Sequence, residues 1–418
     1  MKSSPRKTAV TRLVFVVMLF ACTGQETGTG HVFAGSGSTD IQGQCESALD
    51  TAAASSIRDL PPPDTAWQFA LPEQLGNVAS LDWDTASDSL FVLDQVNSRV
   101  AVVARDGRVL RWFGREGRGP SDLDFGPIRH RRTRLALAGD SAIVVADLHS
   151  VKFFTRTGGF RWGSVVDTTG GGSVFDLSIA VTPTGQVIAS KTGKLRLAAQ
   201  DMDTRTALDL IRLVPSREGL TQQPLLRLRN SYATLDSFLG TPPQQPYRDS
   251  YHRSWGIAGD RVTFISWKVF GVCHTDFSGQ LLNVTRLDAK RIPIDDAERQ
   301  RVLQQEQGGG DTPLPFLGVT GRQLYEDRWP EAGPVYQDIL VDGGGRAVAL
   351  RRIQGGQSML DLYSARAYQG SFSMPSDYAL GLFKSGLLVL VRTADAHVLA
   401  LRLPEDLTTL DMESTDHE

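Results

Sequence analysis

The stretch Leu81–Phe125 constrains the fold more than any other part of the sequence, because it contains four short apolar strands in succession. The predicted strands are Leu81–Trp83, Leu90–Asp94, Arg99–Ala104 and Arg108–Phe113. Turn-forming residues separate them, namely Ser87-Asp88, Asn97-Ser98 and Asp106-Gly107. Four strands of this length make one blade of a β-propeller, and one blade cannot bury both of its faces alone. The sequence therefore predicts further blades along the chain.

The first hairpin of this blade recurs five more times in weaker form, as Leu135–Asp147, Ile179–Lys191, Trp255–Trp267, Ile339–Arg351 and Ala379–Arg392. The turn residues Asp88, Asp140, Gly185, Asp260, Gly345 and Gly386 follow one another at spacings of 52, 45, 75, 85 and 41. Because a blade needs about 40–50 residues, each of the two wide spacings contains a blade and an insertion. We predict an all-β fold, a six-bladed β-propeller of four-stranded blades with helical insertions; five and seven blades are the alternative counts.

Ring closure is predicted from the strand count of the last blade. Three strands follow Asp377, and a polar tail begins after Pro404. The strand-like segment Ala66–Leu71 lies before the first blade and is expected to supply the missing outer strand of the sixth. Closure by both ends of the chain removes an open sheet edge.

Blade one also carries a recognisable motif in the segment VLDQVNSRVAVVARDGRVLRWFGREGRGPSDLDF. Asp94, Asn97, Arg99 and Val100 match a D-x-x-N-x-R-[VI] pattern, and Phe113, Gly114, Gly117, Gly119 and Pro120 match F-G-x-x-G-x-G-P. In these residues the segment resembles the NHL-repeat propellers. The resemblance is confined to blade one and implies that Asp94, Asn97 and Arg99 tie a tight turn. The later layout, with Trp329-Pro330 before blade five, resembles bacterial six-bladed propeller lipoproteins of unassigned activity.

The N-terminus predicts the cellular compartment. Residues 1–21 combine four basic residues with the apolar run Leu13–Ala21, which is too short to span a bilayer. The run ends in Leu19-Phe20-Ala21-Cys22, the pattern of a bacterial lipobox, so we expect lipidation of Cys22 and anchoring in the cell envelope. Thr23 is not the Asp that retains such proteins at the inner membrane in some bacteria, which favours the outer membrane. An ordinary signal peptide followed by a chance Cys is the alternative.

The remaining domain boundaries follow from composition. Residues 22–63 are rich in Gly, Ser, Thr and Ala and are predicted to form a disordered tether, residues 64–404 the propeller, and residues 405–418 a polar tail. Apart from Cys22, the chain has only Cys45 and Cys273. An oxidising compartment permits a disulfide between them, and a free Cys45 with a buried Cys273 is the alternative.

Charge excludes one class of partner and motifs exclude several reaction types. Removal of residues 1–21 takes the net charge from −3 to −7, so nothing indicates binding of nucleic acid. The sequence contains no G-x-S-x-G, no H-E-x-x-H and no Walker loop. No cofactor is predicted.

The long excursions between blades predict the binding side. Gly114–Arg134, Gly163–Asp176, Val214–Ser254 and Asp288–Gln337 all precede a first strand, which places them on one face of a propeller. Two segments inside them, Thr221–Leu239 and Asp295–Gln307, are predicted to be helical.

Candidate ligand-binding residues lie in these excursions near the channel mouth. They are Arg118, His130, Arg131, Arg132, His252, Arg253, Trp329 and Tyr336. Arginine binds carboxylates bidentately, and aromatic residues anchor interfaces, so we expect a protein, peptide or glycan ligand. Ion pairs with neighbours such as Asp122, Asp124 and Asp249 are the alternative role for the arginines. The alternative function is a metal-dependent lyase or lactonase with ligands from His130, Asp176 and His252.

Overall fold

The computed structural model describes residues 41–125, 134–147, 150–166, 178–192, 206–216, 219–230, 254–266, 269–293, 295–297, 300, 335–353, 357–375, 377–392 and 395–404. Within these ranges, the strands form six sheets of four or five strands each. The first strands of successive sheets are neighbours all the way round, so the six sheets close into a ring of blades. The sequence prediction of a six-bladed propeller is confirmed.

Three elements precede the first complete blade: α1 (Ile41–Thr51), β1 (Ala54–Ser55) and β2 (Asp64–Ala70). Blade one contains β3 (Val78–Asp84), β4 (Ser89–Asp94), β5 (Arg99–Ala104) and β6 (Val109–Phe113). Blade two contains β7 (Leu135–Ala138), β8 (Ala142–Ala146), β9 (Ser150–Thr155) and β10 (Phe160–Val165). Blade three contains β11 (Ser178–Val181), β12 (Val187–Thr192), β13 (Thr206–Ser216) and β14 (Gly219–Asn230).

The second half of the ring follows the same order. Blade four contains β15 (Trp255–Ala258), β16 (Arg261–Ile265), β17 (Gly271–Asp276) and β18 (Leu281–Leu287). Blade five contains β19 (Asp338–Val341), β20 (Ala347–Arg352), β21 (Ser358–Tyr363) and β22 (Tyr368–Ser373). Blade six contains β23 (Tyr378–Lys384), β24 (Leu387–Arg392) and β25 (His397–Arg402), and β2 is its outer strand.

Packing between blades explains why the second strands are apolar without alternation. All six residues of β4 are buried, because blade one is covered by a neighbour on each face. The outer strand β6 is largely half-buried instead. The buried apolar residues form six clusters, one at each seam between adjacent blades. Each blade therefore depends on its neighbours for burial, as the repeat pattern predicts.

The ring closes through the N-terminal segment. Strand β2 pairs antiparallel with β25, from Asp64 opposite Arg402 to Ala70 opposite His397. Trp67 stacks on Trp83 of blade one with ring centroids 5.0 Å apart, which packs the closing strand against the next seam. The predicted role of Ala66–Leu71 is confirmed, with the strand beginning two residues earlier.

The prediction of a disordered tether over residues 22–63 is wrong for its second half. Residues 41–51 form α1, and Cys45 is joined to Cys273 of β17 by a disulfide. Strand β1 then pairs in parallel with β18, which gives blade four a fifth strand. The segment is ordered because Ile41, Cys45 and Leu49 form an apolar stripe on one side of α1 and are buried at the seam of blades three and four.

The predicted helix over Thr221–Leu239 is also wrong where it is described. Residues 219–230 form β14 and pair along their length with β13. Leu226 and Leu228 are buried while Arg227 between them pairs with Asp209, an alternation of period two that is typical of a strand. Pro224 lies at a shift of register between the two strands, a position where a strand tolerates a proline that has no N–H to donate. The excursion before blade four therefore covers residues 231–254 and not Val214–Ser254.

Of the predicted helix Asp295–Gln307, only residues 295–297 and 300 are described, and positions 296, 297 and 300 are helical. In the described part of the chain, no helix is both long and apolar enough to cross a membrane.

Candidate functional site

A cavity of about 690 Å³ runs along the axis of the ring. Its wall comes from the first strands of all six blades. At one end it reaches the turns that join first to second strands, including Thr85, Gly139, Gly343 and Ser385. Cavities of this size accommodate small molecules or short pieces of a larger ligand. The axial cavity is therefore one candidate ligand site.

Asp82 is the central charged group of the cavity wall. Its Oδ1 accepts a hydrogen bond from Lys384 Nζ of blade six at 2.8 Å, and its Oδ2 accepts one from the Leu137 backbone N–H of blade two at 2.7 Å. The Trp83 N–H also donates to Oδ1, at 2.7 Å. This carboxylate thus connects three blades. Burial of a carboxylate is tolerated because each oxygen is satisfied.

Two further carboxylates in the wall are also paired with cations. Arg156 Nη1 lies 3.6 Å from Asp84 Oδ2, and Arg346 Nη2 lies 2.9 Å from Asp342 Oδ2. Arg156 additionally donates to the Gly139 carbonyl. The cavity wall therefore contains ion pairs. A polar ligand in the cavity would contact hydrogen-bond donors and acceptors side by side.

Convergent metal ligands are not found in the described residues: no three His, Cys, Asp or Glu side chains there could hold a metal ion together. The lyase or lactonase hypothesis depends on His130, Asp176 and His252, and all three lie outside the described ranges.

The second candidate site is the face that carries the long connections between blades. Because the four consecutive strands of each blade alternate in direction, every connection from an outer strand to the next first strand begins and ends on this one face. The connections cover residues 114–134, 166–177, 231–254 and 288–337, whereas the other two cover only 71–77 and 374–377. We call this side the insertion face.

Arg118 lies on the insertion face, in a loop that is folded over Asp122. The Asp122 Oδ1 accepts a hydrogen bond from Arg115 Nε at 2.7 Å, and Oδ2 accepts one from the Gly119 N–H at 3.0 Å. The hydrogen bond from Arg115 lowers the pKa of the Asp122 carboxyl below its ordinary value. A Cβ at Gly117 would lie 2.5 Å from Asp122 Oδ2, so the loop needs glycine there. The glycine motif noticed in the sequence therefore serves the packing of Asp122.

The loop holds the Arg118 side chain 92% exposed, with its Nε 3.4 Å from Asp124 Oδ2. The ion pair with Asp124 is the one that the sequence left open as the alternative role. An exposed pair of this kind contributes little stability, which leaves the guanidinium available to an anionic ligand.

Tyr336 was predicted to line the channel mouth, and this prediction is wrong. Its side chain is fully buried at the seam of blades four and five, where the hydroxyl shares a hydrogen bond with Tyr363 and the ring packs edge-on against Phe270. Burial raises the pKa of the Tyr336 hydroxyl well above its ordinary value. In the sequence, Tyr336 precedes β19 as a loop residue would, but in the structure its ring packs in the core.

The other predicted site residues lie outside the described ranges. They are Cys22, His130, Arg131, Arg132, His252, Arg253 and Trp329. The scaffold role expected for Asp94, Asn97 and Arg99 agrees with their contacts: the buried Asp94 carboxylate accepts bonds from Asn97 Nδ2 at 2.6 Å and Arg99 Nε at 3.3 Å.

Sequence reasoning missed the charged residues of the cavity wall. Asp82 alternates with Leu81 and Trp83 in β3, so its pattern predicts exposure to solvent. Arg156 lies in a turn and Lys384 is the last residue of β23, and nothing in their local sequence marks either as part of a site. These residues could have been found from their positions in the blades, because a propeller places the end of each first strand at the central channel.

No protein-family profile and no curated protein matches this sequence. Solved structures give low-identity similarities. A protein assigned as exported from Bacteroides fragilis has a TM-score of 0.47 at 10% identity, over 84% of this chain and all of that one. A gluconolactonase from Xanthomonas campestris has a TM-score of 0.44 at 13% identity, over 85% and 99%. Regucalcin, a calcium-binding protein from Agrobacterium tumefaciens, has 0.42 at 12%, over 84% and 96%. No ligand or activity transfers to this chain from these similarities.

Proposed function

We propose that the protein is a lipid-anchored binding module of the bacterial cell envelope, which takes a protein, peptide or glycan on its insertion face. The observation that carries the proposal is the preorganised loop around Asp122, which presents Arg118 to solvent. A residue whose loop is already folded loses less backbone freedom on binding than one on an unordered segment. Its guanidinium suits a carboxylate or another anionic group of the ligand.

Two features support the envelope location. The N-terminal sequence ends its apolar run at Cys22 in a lipobox pattern. The disulfide between Cys45 and Cys273 is of the kind that persists in oxidising compartments outside the cytosol. Labelling of cells with radioactive palmitate tests the anchor: we expect incorporation into the wild-type chain and none into Cys22→Ser.

The binding site is tested with an array of defined peptides and glycans, each peptide in a free-carboxylate and an amidated form, against the chain carrying Cys22→Ser. We expect selective binding of carboxylate-bearing members and a loss of about tenfold in affinity with Arg118→Ala, which equals one charge-assisted contact. Arg108→Ala is the matched control, because Arg108 is exposed in a turn on the opposite face. Equal binding by both variants contradicts the proposal.

The lyase or lactonase alternative is tested by elemental analysis of the same chain purified without chelator. We expect no stoichiometric metal. One tightly held metal ion per chain that is lost in His130→Ala or His252→Ala would replace the binding proposal with the enzyme.

A further inference from the structure

Residues 41–60 run along the outer rim of the ring, and we call them the belt. The belt begins with α1 at the seam of blades three and four, continues as β1 on the edge of blade four, and reaches blade five at Asp59 and Leu60. Three consecutive prolines, Pro61–Pro63, then separate it from β2 of blade six. The belt thus contacts three blades, three to five, before the first strand of the ring begins.

The seat of α1 is closely complementary to it. A Cβ at Gly271 would lie 2.7 Å from Leu49, and a Cβ at Gly279 would lie 2.9 Å from Ile41. Arg286 Nη1 of β18 donates to the carbonyls of Leu49 and Asp50 at 3.2 and 3.0 Å, which satisfies the end of the helix. The seat is therefore specific for this helix, and an unrelated segment would lack these fits.

The belt also covers two sheet edges that would otherwise be open. The Asp288 N–H donates to the Ser55 carbonyl at 2.8 Å beside β18. At blade five, the Leu60 N–H donates to the Ser371 carbonyl and the Ser371 N–H donates to the Arg58 carbonyl, both at 2.7 Å. Open edges pair readily with another strand, and the strand that fits best has the sequence of the belt.

Apart from the main chain at Pro61–Pro63, the disulfide is the one covalent bond between the belt and its own ring among the described residues. The disulfide joins residues 228 positions apart, whereas the edge contacts span a few residues each. The prolines form a stiff connector in place of a tight turn, and a connector of that kind allows an identical segment to exchange between copies.

We propose that the Cys45–Cys273 disulfide is a latch that assigns the belt to its own ring, and that until the bond forms the belt of one copy can seat on the rim of a second copy of this chain. The bond then fixes whichever arrangement is present. Attachment through the connector gives the chain's own belt a high effective concentration, so the monomer dominates in dilute solution and the exchanged dimer grows with protein concentration.

The test uses two chains, both with Cys22→Ser, of which one carries Cys45→Ser and the other Cys273→Ser. They are refolded together and oxidised with glutathione disulfide, which takes two electrons and two protons from the two thiols and leaves as two glutathione molecules. We expect a dimer linked from Cys45 of one chain to Cys273 of the other, at about tenfold the yield of the Cys45–Cys45 dimer formed by the second chain alone.

The matched control places a thiol outside the belt. A chain with Cys45→Ser, Cys273→Ser and Val96→Cys offers a partly exposed thiol that the belt does not carry. Because Cys273 is fully buried, we expect this chain to form no mixed dimer with the Cys45→Ser chain. Equal yields with Val96→Cys, or no mixed dimer from chains that have native circular dichroism, would overturn the proposal.

A second measurement keeps both native cysteines and so does not depend on how the serine variants fold. Chains with Cys22→Ser labelled with 14N and 15N are unfolded, reduced, mixed and refolded under oxidising conditions at increasing concentration. We expect peptides joined through Cys45 and Cys273 to carry mixed isotopes in a fraction that rises with concentration. Linked peptides of a single isotope at every concentration would also overturn the proposal.

Discussion

Two halves of the ring are fastened in different ways. Blades six, one and two are joined at the channel wall, where Asp82 accepts from Lys384 and from the Leu137 N–H, and Ser80 Oγ accepts from the Leu135 N–H at 3.2 Å. Blades three to five are joined at the outer rim by the belt and its disulfide. No belt residue pairs with blade one or two among the described residues.

The difference shows that one seam geometry accepts two kinds of reinforcement. The inner connections use backbone N–H groups of the neighbouring blade and are available as soon as two blades meet. The outer connections need a segment from the N-terminus and a bond across 228 positions, so they depend on most of the ring being in place. We therefore expect blades six, one and two to keep their stability when the belt is lost, and blades three to five to lose stability.

Removal of the disulfide should have the largest effect. For Cys45→Ala with Cys273→Ala, we expect the free energy of unfolding to fall by about 4 kcal/mol, because the unfolded chain is no longer cross-linked over a long loop. Urea denaturation measures this. Hydrogen exchange should accelerate in β14, β18 and β22 and remain unchanged in β3–β5; uniform acceleration would contradict independence of the two halves.

Asp82→Ala tests the contacts at the channel wall that join blades six, one and two. We expect a loss of about 3 kcal/mol, because Lys384 and the Leu137 N–H lose a partly buried charged acceptor. Faster exchange should appear at β3 and β7 and not in the belt. Asp106→Ala is the control, since its pair with Arg108 is exposed at 3.8 Å, and it should change stability by less than about 0.5 kcal/mol.

His274 gives blade four a pH-dependent stability. Burial, with a smaller contribution from the Arg261 charge, lowers the pKa of His274 from 6.5 to about 4. Between pH 6.5 and 4, His274 is therefore protonated in the unfolded chain and neutral in the folded chain. The free energy of unfolding decreases as pH falls through this range. At pH 5 we expect wild type to have lost on the order of 2 kcal/mol relative to pH 7 through this group. Thermal unfolding of His274→Gln should lack this component, and parallel pH profiles of the two proteins would disprove it.

Gly370→Ala should have the smallest effect and concern the belt alone. A Cβ there would lie 2.5 Å from Leu60 Cγ, and the φ of +147° favours glycine. We expect a loss of about 1 kcal/mol, of which the steric part is recovered with Leu60→Ala in a double-mutant cycle. Additive effects in denaturation would show that belt and blade five do not touch there in solution.

Most of the ring could be predicted from the sequence. Strands buried between two blades must be apolar, and the turns between them need residues such as Asp88 and Gly386, so both leave a visible pattern. The sequence also predicted closure by Ala66–Leu71. It missed the belt because only three apolar residues anchor α1, although their spacing of four at Ile41, Cys45 and Leu49 was visible. The high content of Gly, Ser, Thr and Ala in residues 22–63 favoured a disordered tether, and this composition was given more weight than the apolar stripe.

The site was less predictable than the fold. Arg118 is exposed as expected, but Tyr336 is in the core because a bulky ring before a first strand fills a seam as readily as it faces a ligand. The charged cavity wall depends on contacts between blades, such as Asp82 with Lys384, that lie 302 positions apart. Periodicity within one strand carries no information on such pairs.

The position of the disulfide has a consequence for proteolysis. Of the four long connections on the insertion face, those over residues 114–134, 166–177 and 231–254 lie between Cys45 and Cys273, whereas 288–337 lies beyond them. A protease that cuts any of the first three produces two polypeptides that remain one covalent molecule. After such a cut, the N-terminal part of the chain thus stays covalently attached to blade four and to the strands that follow it, whereas a cut within 288–337 leaves blade five and strands β23–β25 held to the rest by non-covalent contacts alone.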